Sequence, residues 1–186
     1  HYVRPEPRAS LAYTLPADWA VKASYAKMNQ YVHLLSNTGT GLPTDLWVPT
    51  TYRVKPQQSE QIAAGITKEF MEKNLTFSVE AYRKTMGNLL SYREGSSFLL
   101  PTDGQATRWE DDVTAGRGWS SGVEVLLQKR AGRFTGWAGY TWSMTQWQFD
   151  ELNGGQPFFP RYDRRHDVSL VGSYALTPGI RLAGTW

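Results

Sequence analysis

Hydrophobic and polar residues alternate along most of this chain with a period of two, the spacing that gives each face of a β-strand its own chemistry. Over Leu75–Thr85 the odd positions read Leu75, Phe77, Val79 and Ala81, and the even ones Thr76, Ser78, Glu80, Tyr82 and Lys84. Val123, Val125 and Leu127 oppose Ser120, Gly122, Glu124 and Gln128 in the same manner. From Phe134 the parity is even, with Phe134, Gly136, Ala138, Tyr140, Trp142 and Met144 on one face. Thr135, Trp137, Gly139, Thr141, Ser143 and Thr145 take the other. Val168, Leu170, Tyr174 and Leu176 continue the pattern, as do Ile180, Leu182 and Trp186, whereas 9–15, 21–25 and 62–66 fit it less cleanly. The pattern predicts eight strands.

The connections add a second signal. Short turns are expected at Pro16-Ala17-Asp18, Met71-Glu72-Lys73-Asn74, Ala131-Gly132-Arg133 and Thr177-Pro178-Gly179, because Gly, Pro, Asn and Asp tolerate or preset turn dihedrals. Long connections are expected over roughly residues 36–58, 94–115 and 149–165. Short and long alternate strictly, which collects every turn at one end of the strands and every long loop at the other. A soluble sandwich has no reason for that asymmetry. An outer-membrane β-barrel does, with short turns on the periplasmic side and long loops outside. The strand arms also reach the roughly 9–11 residues that a tilted crossing needs.

Composition then narrows the choice mainly by exclusion. With 186 residues, 40% hydrophobic and without a run approaching 18 apolar residues, the chain has no candidate transmembrane helix. It contains no cysteine, which excludes disulfides and cysteine-held metal. The 8 Trp, 10 Tyr and 7 Phe argue against disorder. Net charge is +3, spread along the chain, so no basic arm for nucleic acid is present. His1 to Pro7 lack the apolar core of an export signal, and the chain stops at Trp186 inside an expected strand, so a piece of a longer protein is expected.

Alternation alone does not say which face is inside. Trp19, Tyr25, Trp119, Tyr140, Trp142 and Tyr174 suit the aromatic belts of a membrane barrel, and they equally suit a sandwich core. Three readings therefore stand: a section of a large membrane barrel, a self-contained eight-stranded barrel with a structural or small enzymatic role, and a soluble β-sandwich that binds carbohydrate.

Six segments follow one another in a telling order: Pro5-Glu6-Pro7-Arg8 entering Ala9–Tyr13, Ala23-Ser24-Tyr25-Ala26-Lys27-Met28, Lys55-Pro56-Gln57-Gln58-Ser59-Glu60-Gln61, Phe77–Lys84, Gly118–Glu124 and Tyr162-Asp163-Arg164-Arg165-His166-Asp167. Together they resemble the barrel domain of TonB-dependent outer-membrane receptors. The resemblance implies an antiparallel barrel of 22 strands around a plug, of which residues 1–186 would supply a late section of about eight. The plug, the N-terminal TonB box and the closing strands would lie outside this sequence. It further implies a non-enzymatic receptor in the bacterial outer membrane that takes up a scarce nutrient: siderophore, cobalamin, glycan or peptide. Its partners would be outer-membrane lipid, the ligand, the TonB–ExbB–ExbD complex through the missing N-terminal parts, and in some arrangements a surface lipoprotein. No cofactor, metal or nucleic acid is implied.

Catalytic arrangements find little support. Nothing marks one serine as an activated nucleophile, and Glu80 and Glu124 read as acids lining a wet lumen rather than as a glycosidase pair. Asp163, His166 and Asp167 offer metal-ligand types, but neighbouring strand residues diverge to opposite faces, so a strand-entry salt-bridge cluster is expected. His33 reads as a packing residue at a loop base. The functional lead is aromatic. Trp47, Tyr52, Trp109, Trp147, Phe158 and Phe159 lie in or beside the long connections with Arg53 and Arg161, and Phe98, Phe149, Tyr162 and Arg108 accompany them. Rings there can stack on sugars or on an aromatic siderophore, with arginines for anionic groups.

Overall fold

A computed structural model gives the structure of the protein and describes residues 2–35, 46–93 and 108–186. Eight strands form one antiparallel sheet: β1 (Arg8–Leu15), β2 (Trp19–Gln30), β5 (Gln57–Phe70), β6 (Leu75–Tyr92), β7 (Val113–Lys129), β8 (Phe134–Gln148), β9 (His166–Thr177) and β10 (Ile180–Thr185). A separate hairpin, β3 (Val32–Leu35) with β4 (Leu46–Pro49), sits inside the first long connection. The eight strands pair in chain order, each with the next, so every connection is local. The sheet is open, with β1 and β10 at its edges, and no second sheet of that size covers it among the described residues. Among the described residues, neither a closed eight-stranded barrel nor a sandwich is formed.

Register explains why the alternation is so clear. One lateral row runs Tyr13, Val21, Ile66, Val79, Val125, Tyr140 and Val168. The adjacent row, on the opposite face, runs Ala12, Lys22, Gly65, Glu80, Glu124, Thr141 and Asp167. Slipping any strand by one residue would exchange the faces. The apolar face stays exposed: Leu11, Ile62, Leu127, Phe134, Val168, Leu170 and Leu176 are all uncovered. Water would not tolerate so continuous a band on a folded monomer; hydrocarbon would.

The short turns close all four hairpins at one end, and the lipid-side cations nearest them bend back onto the turns. Lys68 Nζ reaches Ala17 O and lies 5.6 Å from the Trp19 ring and 5.5 Å from the Phe70 ring. Lys129 Nζ donates to Lys73 O at 2.7 Å, and Arg133 donates to Leu176 O while stacking over Tyr174. Such snorkelling keeps the charge at the interface while the stem covers apolar surface.

The compact core lies at the other end, above the band. Leu35, Val48, Val54, Leu90, Tyr92 and Val113 cluster there with Leu46 and Trp109 packed against them, so the β3–β4 hairpin docks on the upper parts of β6 and β7. A bulge makes that docking possible. Between Gly87 and Leu89 the register of β6 shifts, with Asn88 at φ 53° inserted, and the parity of β6 flips. Leu90 and Tyr92 thereby join Val113 on one face.

His33 shares the buried face of that hairpin, fully enclosed, with neither ring nitrogen hydrogen-bonded among the described residues. Burial lowers its pKa, since a charged imidazolium would lose its hydration. The unfolded segment then takes up a proton before the docked one, so docking is complete above the ordinary value of 6.5 and is lost progressively as pH falls below it. His33→Leu is expected to strengthen docking by about 1–3 kcal/mol, the cost of leaving polar atoms unpaired, and to flatten that pH dependence. Hydrogen exchange across residues 32–35 and 46–49 at pH 5 and 7.5 measures both effects.

Candidate functional site

Beyond the apolar band the opposite face, which carries Glu80 and Glu124, continues upward. Gly65 sits between Lys22 and Glu80 in the row, and its missing side chain lets Lys22 Nζ reach Glu80 Oε2 at 3.5 Å. Glu80 and Glu124 are direct cross-strand neighbours. One step higher, Tyr82 lies over Gly122, where an added Cβ would meet the ring at 2.8 Å. Higher still come Lys84, level with Ala26, Gln61, Ser120 and Thr145, and then Met28, Ser59, Met86, Gly118 and Trp147 in one row.

These last rows frame a cavity of about 250 Å³ lined by Met28, Gln30, Gln57, Ser59, Lys84, Met86 and Leu89, with Asn29 and Gln58 at its side. Lys84 is half-buried and makes no hydrogen bond or ion pair among the described residues. Ser120 and Thr145, in its row, bond to each other at 3.0 Å rather than to it. The cavity thus offers one uncommitted ammonium, amide and hydroxyl groups, and two adaptable thioethers.

An aromatic cluster begins farther along the same row, at Trp147 two strands from Met86, and its rings do not line the cavity. Trp147 packs edge-on against Phe149 and Tyr162 at 6.0 and 5.4 Å, and Phe149 stacks on Phe158 at 6.1 Å. Two reciprocal backbone hydrogen bonds of 2.8 Å tie Trp147 to Phe158, continuing the ladder of β8 into the loop. Phe149 is almost wholly buried because β7 presents Gly116 beneath it; a Cβ there would collide with the ring. Gly118 makes the same room for Leu89 and Trp147. Below the loop, Asp163 accepts the Thr145 N–H at 2.7 Å and pairs with Arg165 at 3.1 Å, and Arg165 lies 4.7 Å over the Phe159 ring.

The structure divides the residues singled out from sequence into two groups. Trp147 and Phe158 are in the aromatic cluster; Phe159 beside it is half-exposed, and Arg161 is exposed. Trp47 and Tyr52 project from the hairpin region, 65% and 80% exposed, whereas Trp109 packs on the hairpin core. Arg53 is held by Asp111 at 2.7 Å and Glu110 at 3.8 Å, which raises its pKa further. Phe98 and His1 lie outside the described residues. Asp163, His166 and Asp167 diverge: His166 bonds Tyr140 Oη at 2.9 Å on the apolar side, and Asp167 pairs with Arg164 at 3.4 Å. Lys84, Met28 and Met86 escaped sequence reasoning. Their signal was present, as the period-two pattern runs on past Lys84, but only the register aligns β2, β5 and β6.

A single antiparallel sheet with one lipid-compatible face, one wet face, turns at one end and a built-up loop layer at the other is a wall section of an outer-membrane barrel. The model of the TonB-dependent receptor-like β-barrel matches residues 5–186, and the chain belongs to that family. Among solved structures it is similar to the ferric-catecholate import receptor Fiu from E. coli K12 in its closed form, at 18% identity and a TM-score of 0.62. That likeness covers 96% of this chain and 23% of the receptor, so the chain spans about a quarter of its length. No curated protein matches the sequence. Family membership settles the faces: the apolar rows meet lipid, and the row of Lys22, Glu80 and Glu124 faces the lumen.

Proposed function

We propose that this segment is the ligand-contacting wall of a receptor that takes up an anionic, ring-bearing metal chelate by TonB-coupled transport. The observation that carries the reading is Lys84, an uncommitted ammonium on the lumen side, set one row below Met28 and Met86, with Trp147 farther along their row. A tris-catecholate iron complex matches that chemistry, with negative charge for Lys84 and flat rings for Met28, Met86 and Trp147. The structural likeness to a ferric-catecholate importer is in keeping with it. Cobalamin, glycan and peptide remain in the panel to be tested.

In the whole protein, residues 1–186 would be one section of the barrel in the outer membrane, with plug and TonB box elsewhere in the chain. TonB–ExbB–ExbD would supply the energy, and a surface lipoprotein would be an additional cap where one is used. The wall performs no chemistry on the ligand.

The test is tryptophan fluorescence quenching of the full-length receptor in detergent against ferric tris-catecholate, cobalamin, a neutral oligosaccharide and a peptide. Saturable quenching by the ferric complex is expected, with its cellular uptake abolished by a protonophore. Saturable binding of the oligosaccharide alone would overturn the assignment.

A further inference from the structure

Trp119 and Trp147 treat their indole N–H groups differently. Trp119, on the outward face, donates to Gln146 Oε1 at 2.9 Å. Trp147, on the lumen side, has its Nε1 buried with no hydrogen-bond partner among the described residues. An indole nitrogen can only donate, and a buried donor left unpaired costs free energy that an arriving acceptor would recover.

Leu89 stands beside that nitrogen. Leu89 Cδ1 and Trp147 Cδ1 each lie 2.8 Å from the point where a Gly118 Cβ would stand, so the two side chains meet over bare backbone from opposite sides of β7. The indole carbon in that contact is the one bonded to Nε1, which turns the N–H edge of the ring toward Leu89. Leu89 is 6% exposed, and it lines the cavity of about 250 Å³ that holds Lys84. Its inward direction comes from the bulge: with Asn88 inserted, Leu89 pairs with Gly116 on the lumen face. One aliphatic side chain thus separates the cavity from the unpaired N–H, and the cavity leaves it room to rotate.

We propose that Leu89 is a shutter over a second anchor for the chelate. On binding it turns aside, and an anionic oxygen of the ligand accepts the indole N–H of Trp147. Lys84 and Trp147 stand two strands and two residues of rise apart, roughly 12 Å between backbones. A ligand meets both only if it carries acceptor oxygens on well-separated rings, as a tris-catecholate does and a single phosphate or carboxylate does not. The closed shutter keeps water from the N–H, so the donor stays uncommitted until such a ligand arrives. The inference rests on the functional reading of the Lys84 cavity and adds the residues that select broad chelates over small anions.

The experiment uses the full-length receptor in detergent, isotope-labelled at the tryptophan indole nitrogen, with gallium tris-catecholate as a diamagnetic stand-in for the ferric complex. The Trp147 indole resonance, identified by its absence in W147F, is expected to move downfield at saturation while that of Trp119 stays in place. W147F should bind the gallium complex about tenfold more weakly, the equivalent of one hydrogen bond to a charged group. L89F, whose ring is too large to turn aside, should lose as much, and L89F/W147F no more than either alone. L89A, which leaves the N–H open, should bind faster than wild type. A heat-dependent gel shift reports the folding of each variant. A Trp147 resonance that ignores saturating ligand, or unchanged affinity in W147F, would overturn the shutter. Wild type that does not bind the complex at all would overturn the functional reading itself, a result distinct from binding through Lys84 with a silent Trp147.

Discussion

Replacing Lys84 with glutamate in the full-length receptor is expected to weaken capture of ferric tris-catecholate by about 10–100-fold, with the heat-dependent gel shift unchanged. The magnitude follows from removing one charge-assisted contact worth roughly 1.5–3 kcal/mol. Reversing the sign adds repulsion in a cavity whose other lining groups are neutral. Lys84→Arg should retain most of the affinity, because the charge stays within reach. Since Lys84 has no partner among the described residues, its loss breaks no structural bond, and a folding defect is not expected to imitate the effect. Fluorescence titration measures it. Unaltered affinity for the chelate in Lys84→Glu would remove the observation on which the functional reading stands.

The second large effect concerns the loop layer. Phe149→Ala should open residues 149–165, raising amide exchange there by about 100-fold or more while β6 and β7 below the band edge stay protected. Truncating a fully buried phenylalanine costs about 3–5 kcal/mol, and here the ring is gripped by Trp147, Phe158 and the bare backbone at Gly116. Gly116→Val should have the same effect from the opposite direction, by occupying the space of the ring. Hydrogen exchange that rises uniformly through the sheet would show instead that the cluster is part of the wall.

Strand faces and turns were readable because both depend on nearest neighbours: a period of two fixes the face, and Pro16, Asn74, Gly132 and Gly179 mark the reversals. The eight sheet strands follow from that pattern, and the assignment of the apolar rows to lipid follows from the family. The β3–β4 hairpin did not show in the sequence. Its strands are four residues each, and what stabilises them is docking on Leu90, Tyr92 and Val113, far away in the chain. Asn88 interrupts the alternation of β6 for a related reason. One inserted residue inverts the phase, so the period-two pattern is clear only to Thr85, although the long connection is expected from residue 94 and the strand of 18 residues runs on to Tyr92. The aromatic residues of the long connections were visible as a group, but their partition was not: Trp109 serves the hairpin core, whereas Trp147 and Phe158 overhang the lumen. Lys84 escaped notice because an isolated lysine on a polar face is unremarkable until cross-strand register puts Met28 and Met86 beside it.

The turn-end cations lend themselves to one more deduction. Lys68, Lys129 and Arg133 donate hydrogen bonds to carbonyls of the protein's own hairpins, so these three cations of the lower rim are held by the polypeptide and depend little on the inner-leaflet headgroups. The vertical seating of this part of the barrel should then be insensitive to the phospholipid composition on the periplasmic side and to salt.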